Sequence, residues 1–161
     1  MVSAGISWNG KTNIHIIEPG PNAKVDSNVY CHLLAERLLP DCRQLYPDND
    51  YTFQQDGATS HTSNLSQNFL MQNTPNFIKK NQWPPESADL NPMDYSVWDL
   101  LSEKVYRGRT TPFTMDELKA KIVECWQEIT VDQIRAVISS WKKRLRLVIY
   151  SNGGPIDHLL T

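Results

Sequence analysis

The sequence predicts an α/β protein: a mixed sheet flanked by helices, followed by a helical C-terminal part. Three observations lead there. "MVSAGIS" and "KTNIHIIE" are strand-like and joined by "WNG", whose Asn9-Gly10 pair is a strong hairpin signal. Strand-like and helical segments then alternate as far as "NFIKK". Beyond "WPPESADLNP" the apolar residues recur at three- and four-residue steps, the period of a helix with one buried face.

Each element has its own signal. After the hairpin, "PGPNAKVDSN" reads as a loop, rich in Pro, Gly and Asn. Ser27 or Asn28 is expected to cap a helix through Val29, Leu33, Leu34 and Leu38, ending near Pro40. "DNDYTFQQD" reads as a turn and a strand, and Thr62 or Ser63 as the cap of a helix bearing Leu65, Phe69 and Leu70. "NFIKK" is a short strand before the proline-bounded loop. "MDYSVWDLLSEKVY" is helical, with Val97, Trp98, Leu101 and Val105 on one face. Thr114 with Glu117 forms a capping box for the helix through Leu118, Ile122, Val123 and Trp126. "VDQIRAVISSWKKRLRLVIY" reads as one further helix, stopped by "SNGGP". No repeat, low-complexity tract or linker divides the 161 residues, a length that suits one domain.

Composition excludes several classes. With 40% hydrophobic and 21% charged residues the chain is neither disordered nor collagen-like. No apolar run approaches the roughly 18 residues of a membrane span, and no basic region opens the N-terminus, so a soluble intracellular protein is expected. Cys31, Cys42 and Cys125 lack metal or disulfide spacing and are expected to be buried thiols. The net charge of −2 is uneven: residues 1–100 carry 6 basic and 11 acidic side chains, residues 101–161 carry 10 and 7. That distribution leaves room for a polyanion partner on the C-terminal half.

Two acids stand at element ends. Asp56 closes the strand-like "YTFQQD" and precedes Gly57; Asp94 falls at the third position of a helix whose cap is Asn91 and whose first residue is Pro92. Singly, each has a plain explanation: Asp-Gly is a common turn pair, and an acid in the first helical turn satisfies free N–H groups. Together, two carboxylates on rigid elements would supply hard oxygen ligands for Mg²⁺ or Mn²⁺, ions suited to phosphodiester chemistry.

The paired motifs "QQDGATSHTS" and "WPPESADLNPMDYSVWDLL" resemble the core of the Tc1/mariner transposases, in the DDE/D superfamily. The resemblance extends from "MVSAGIS" through "KVYRGR" to "WKKRLR" and "NGGPIDH". It implies a single RNase H-like domain over residues 1–161 and metal-dependent DNA cleavage and strand transfer, acting on DNA in the nucleus. It also makes Asp56 the second and Asp94 the third metal-binding carboxylate, with 37 residues between them. An Asp as third acid is closer to the mariner-like branches than to Tc1.

The family's first carboxylate lies on a strand upstream of the segment matching "MVSAGIS", and no acid precedes Glu18 here. The resemblance therefore implies a partial domain without its central first strand, without the family's N-terminal helix-turn-helix, binding Mg²⁺ or Mn²⁺ weakly and inactive alone. Thr59 and Ala88 stand where relatives usually carry proline. Two further readings stay open: a catalytically dead DNA-binding protein, and a module that self-associates, as a homodimer, through an open sheet edge. Accessory candidates are His61, as a support for Asp56, and Asp89 near Asp94. Arg107, Arg109, Lys142, Lys143, Arg144 and Arg146 are candidate DNA-backbone contacts, against the plain reading of a solvated basic face. Trp83 and Pro84-Pro85 are expected to pack the loop.

Overall fold

The computed structural model describes residues 1–18 and 24–160; residues 19–23 of the predicted loop lie outside the described residues. The chain forms two compact units, Met1–Gly5 with Lys11–Ser87, and Ile6–Gly10 with Ala88–Thr161.

The predicted hairpin is present but broken into short pairs. β1 (Val2–Ser3) runs antiparallel to β4 (His15–Ile16) in the register Val2↔Ile16 and Ser3↔His15. β2 (Ile6–Ser7) and β3 (Gly10–Lys11) flank the turn, which sits at Trp8-Asn9, one residue before the expected pair. Gly10 adopts φ 149°, a conformation that disfavours any residue with a Cβ. The two ladders are separated by Thr12. Its backbone N–H donates to Gly5 O (2.9 Å), while its hydroxyl accepts from Gly5 N (2.8 Å) and donates to Asn13 O (2.8 Å). A buried side chain thus replaces a ladder partner, and regular pairing stops there.

The first unit packs on one long helical element. Asp26, not Ser27 or Asn28, caps α1 (Ser27–Leu33), its Oδ1 accepting from Asn28 N and Val29 N. The helix passes Pro40 instead of ending at it. A π-helical turn at Leu34–Leu38 precedes α2 (Leu39–Leu45), and Leu39 N–H bonds five residues back to Leu34 O. That widened turn relieves the missing N–H and ring clash that proline brings to a regular helix. Tyr30, Leu33, Leu34, Leu38 and Leu39 pack around Leu70, with Ile17, Val25, Phe53, Phe69 and Phe77 against them. The predicted strand at 51–56 shrinks to a parallel bridge between Phe53 and Phe77, made by Phe53 N to Asn76 O and Ile78 N to Phe53 O, both 2.9 Å. Pro75, which has no N–H to offer, and the turn after Lys79 bound the partner segment on both sides. A one-turn α3 (Thr59–Thr62) follows, then α4 (Asn64–Asn73), capped by Ser63 as expected.

In the second unit, Met93–Val97 is a π-helical turn leading into α5 (Trp98–Tyr106). α6 (Met115–Glu128) starts from the predicted Thr114–Glu117 capping box. The single helix expected over 131–150 is two. α7 (Val131–Ser139) carries its own capping box, Thr130 with Gln133, and α8 (Trp141–Tyr150) begins after Ser140. The Ser140 hydroxyl donates to Val137 O (2.7 Å), a carbonyl that also accepts from the Tyr95 hydroxyl (2.8 Å). The buried residues of this unit include Leu90, Val97, Leu101, Val105, Cys125, Trp126, Ile129, Ile134 and Ile156. α8 stops at "SNGG", where Gly153 (φ 83°) returns its N–H to Val148 O. Among the described residues no helix is long and apolar enough to cross a membrane. Cys125 is buried; Cys31 and Cys42 are half-buried, and burial pushes the Cys42 thiol up to about 11.

Asp41, on α2, is a charged group that this unit buries. Its carboxylate accepts from Asn13 N (2.9 Å) and Asn13 Nδ2 (2.8 Å) and lies 2.9 Å from His15 Nε2, tying α2 to β4 and the residues before it. Asp41→Ala strands the Asn13 donors. The expected loss is about 1–3 kcal/mol of unfolding free energy in denaturant titrations, and an unchanged midpoint would contradict it.

Candidate functional site

The segment after Phe53 leaves its bridge and turns at Asp56-Gly57. Asp56 Oδ1 accepts from Ala58 N (3.0 Å), two residues on, and lies 2.6 Å from His61 Nδ1. Both interactions fall on Oδ1. Oδ2 has no partner among the described residues, and the side chain is 46% exposed. The hydrogen bond from His61 holds the carboxyl below its ordinary range; burial opposes this, and the Ala58 bond and the His61 charge assist it. An ionised carboxylate only accepts, so His61 Nδ1 carries the proton.

His61 is itself supported. Its ring lies 4.1 Å, centroid to centroid, from that of buried Tyr30. Its carbonyl accepts from Gln55 Nε2 (2.9 Å) and Gln67 Nε2 (3.0 Å), and Tyr30 donates to Gln55 Oε1 (2.5 Å). Burial, and after it the Asp56 charge, pushes the Tyr30 phenol well above its ordinary value, so it stays a donor.

Asp94 is held by a different device. Asn91 caps the turn: its Oδ1 accepts from Met93 N (3.3 Å), and its carbonyl accepts from Asp94 N (2.9 Å). Its amide Nδ2 donates to Asp94 Oδ2 at 2.8 Å. The predicted positions of Asn91, Pro92 and Asp94 therefore stand, with Asn91 nearly buried and Asp94 exposed.

The loop before Asp94 is fastened to α8. Trp141 Nε1 donates to Leu90 O (2.9 Å), and Arg144 Nη1 to Asp89 O (3.3 Å). The Arg144 guanidinium also lies 3.8 Å above the Tyr95 ring. The Asp89 carboxylate accepts from Ile156 N (3.4 Å), making Asp89 a strut of the loop. Of the basic stretch, Arg144 is thus engaged within the unit. Lys142, Lys143 and Arg146 are exposed and have no partner among the described residues. Arg107 pairs with Glu103 (2.9 Å) on the surface. Arg109 is folded onto its own loop, bonding Thr111 O and Pro112 O and lying 3.6 Å over Phe113. With Gly108, Thr110, Lys121 and others these arginines line an open depression of about 460 Å³.

Asp56 belongs to the first unit and Asp94 to the second. Among the described residues no group of three or more His, Cys, Asp or Glu side chains is arranged to hold a metal ion. Sequence reasoning missed Tyr30, Gln55 and Gln67 around His61. It also missed the Asp41–Asn13–His15 cluster. Gln55 lies within the motif, but its amide's role depends on Tyr30; the other partners lie outside the motifs, and only their polarity within apolar runs hinted at them.

Two tests follow from this geometry. Because the folded Asp56 pKa is depressed, its ionisation favours the fold above the unfolded carboxylate pKa, and that contribution is lost as pH falls through the lower folded value. His61→Ala is expected to raise the Asp56 carboxyl midpoint in ¹³C NMR titration and shrink that acid-side window; an unmoved midpoint would refute the pairing. Thr59 is the first residue of α3 and follows Ala58 at φ −56°, ψ 146°, a backbone compatible with proline next. Thr59→Pro should therefore raise stability by about 0.4–1 kcal/mol in thermal unfolding.

No family model matches the chain. It is 32% identical over 137 residues, 85% of its length, to the Tc3 transposase of Caenorhabditis elegans, covering 40% of that protein. It is 26% identical over 134 residues to the Tcb1 transposase of Caenorhabditis briggsae, covering 46% of it. The chain thus spans less than half the length of these relatives. In structure it resembles the catalytic domain of Mos1 mariner transposase, with TM-score 0.77, 19% identity, and coverage of 96% of this chain and 74% of that one. The same domain bound to raltegravir and Mn gives TM-score 0.78 at 19% identity, covering 96% and 76%. That likeness identifies the RNase H-like fold the sequence predicts. The chain is thus similar in sequence to the Tc3 and Tcb1 transposases over less than half of their length, and it has the fold of the Mos1 mariner transposase catalytic domain.

Proposed function

We propose that this chain serves metal-dependent DNA strand cleavage and strand transfer, as part of DNA transposition, with Asp56 and Asp94 as the carboxylates that hold Mg²⁺ or Mn²⁺. The observation that carries the reading is the state of Asp56. It is ionised and exposed, with Oδ1 fixed by Ala58 and His61 and Oδ2 uncommitted, in a chain homologous to Tc3 transposase. The donor set fits a hard cation: both candidates are carboxylates, and His61 directs Nδ1 to Asp56. Mos1 catalytic domain has been solved with Mn and with Mg. When bound, such an ion activates a water or hydroxyl and neutralises charge on the phosphodiester. His61 keeps Asp56 charged and still; Asn91 does the same for the orientation of Asp94.

With two candidate carboxylates, and no group of three or more His, Cys, Asp or Glu among the described residues arranged to hold a metal, the 161-residue chain is proposed to bind the ion weakly and to be silent in cleavage on its own. DNA is the proposed partner and the nucleus the proposed location. A second reading, DNA binding without catalysis, draws on Lys142, Lys143 and Arg146, exposed and unpartnered along α8. Their contribution would be backbone contact, independent of sequence.

Mn²⁺ titration monitored by paramagnetic broadening tests the first reading. Asp56→Asn and Asp94→Asn should each weaken binding about tenfold or more, and an affinity indifferent to either change would refute it. Salt-dependent DNA binding tests the second. Replacing Lys142, Lys143 and Arg146 with Ala should flatten the slope of log K against log salt by roughly 2–3. An unaltered slope would place DNA elsewhere.

A further inference from the structure

We propose that Tyr30, a buried residue of α1, is a positioning residue for Asp56, acting through Gln55 and His61. The inference rests on the metal-binding role proposed for Asp56. Tyr30 reaches His61 by two routes. Its ring supports the imidazole face at 4.1 Å, which limits the tilt of the ring plane. Its hydroxyl donates to Gln55 Oε1 (2.5 Å), and the same amide donates from Nε2 to His61 O (2.9 Å), which fixes the backbone that carries the imidazole. Gln55 is also the chain neighbour of Asp56, so one side chain braces both the acid and its partner.

The consequence falls on Oδ2. With ring plane and backbone both set, His61 Nδ1 meets Asp56 Oδ1 at 2.6 Å, while Ala58 N meets the same oxygen at 3.0 Å. Two donors on one oxygen leave the carboxylate little rotation, so Oδ2 keeps one direction. A ligand already immobile gives up little side-chain entropy when a cation arrives. Buried tyrosine hydroxyls usually find some partner; here the bonded path from the buried phenol ends on the exposed acid.

The test uses the ¹⁵N-labelled 161-residue chain as wild type, Tyr30→Phe and Gln55→Met. Tyr30→Phe keeps the ring and removes only the hydroxyl, so the fold is expected to survive; thermal unfolding checks this. One readout is the hydrogen-bonded His61 Nδ1 proton, and the other is the Mn²⁺ dissociation constant from broadening of residues 56–58. In both variants the Nδ1 proton signal is expected to weaken or vanish and Mn²⁺ affinity to fall about 3–10-fold at near-unchanged melting temperature. Retention of the Nδ1 signal with unaltered Mn²⁺ affinity in both variants would overturn the proposal, whatever happens to stability. If the wild type itself shows no broadening at residues 56–58, the metal reading fails. The Nδ1 proton then decides alone: lost in the variants, Tyr30 still orients the carboxylate; retained, the proposal falls.

Discussion

An exposed carboxylate can serve as a ligand only if it is kept charged and kept still: His61 does both for Asp56, and Asn91 orients Asp94. Asp56 is steadied by His61, which is pinned from beneath by buried Tyr30. Asp94 is steadied by Asn91, whose loop hangs from α8 through Leu90 O and Asp89 O. In each case rigidity is passed outward from packed side chains by hydrogen bonds. The cores described above therefore do more than stabilise their units: they set the direction in which surface oxygens point.

What the sequence made legible was what short range decides. The Thr114–Glu117 and Asn91–Pro92–Asp94 starts depend on residues within one turn and were readable as such. Pro40 was misread because a local rule, that proline ends a helix, lost to a π turn that absorbs it within a long apolar face. The break at Ser140 was hidden for the opposite reason. The carbonyl its hydroxyl takes, Val137 O, is shared with Tyr95, 42 residues away in sequence. Strand lengths were overestimated on similar grounds. Alternation in "MVSAGIS" shows which residues favour extension, but Thr12 decides where the ladder is interrupted.

The site divides along the same line. Asp56, Asp94 and His61 lie inside motifs and were visible; Tyr30, Trp141 and Arg144 reach the acids' surroundings from distant helices and were not visible as supports. The basic stretch shows why a charge run alone is ambiguous. Lys142, Lys143 and Arg146 remain on the surface, whereas Arg144 lies on Tyr95 and bonds a loop carbonyl. Arginine suits that duty because its planar guanidinium can stack and donate at once, which a lysine ammonium cannot do. Sequence fixes the charge of such a residue, but only packing assigns its employment.

The two explanations of Asp56, turn former and metal ligand, are not rivals once its oxygens are considered separately. Oδ1 makes the turn, accepting from Ala58 N two residues ahead, and the same oxygen accepts a hydrogen bond from His61 Nδ1. Neither bond uses Oδ2. The turn is therefore part of what would make the acid a ligand: it removes the rotation a free aspartate would have to surrender on binding a cation. At Asp94 the helix start itself supplies the orienting group, since the amide of the capping residue Asn91 donates to the carboxylate. At Asp56, local structure and ligand chemistry draw on different oxygens of the same side chain, so the plain reading of that motif is a condition of the functional one.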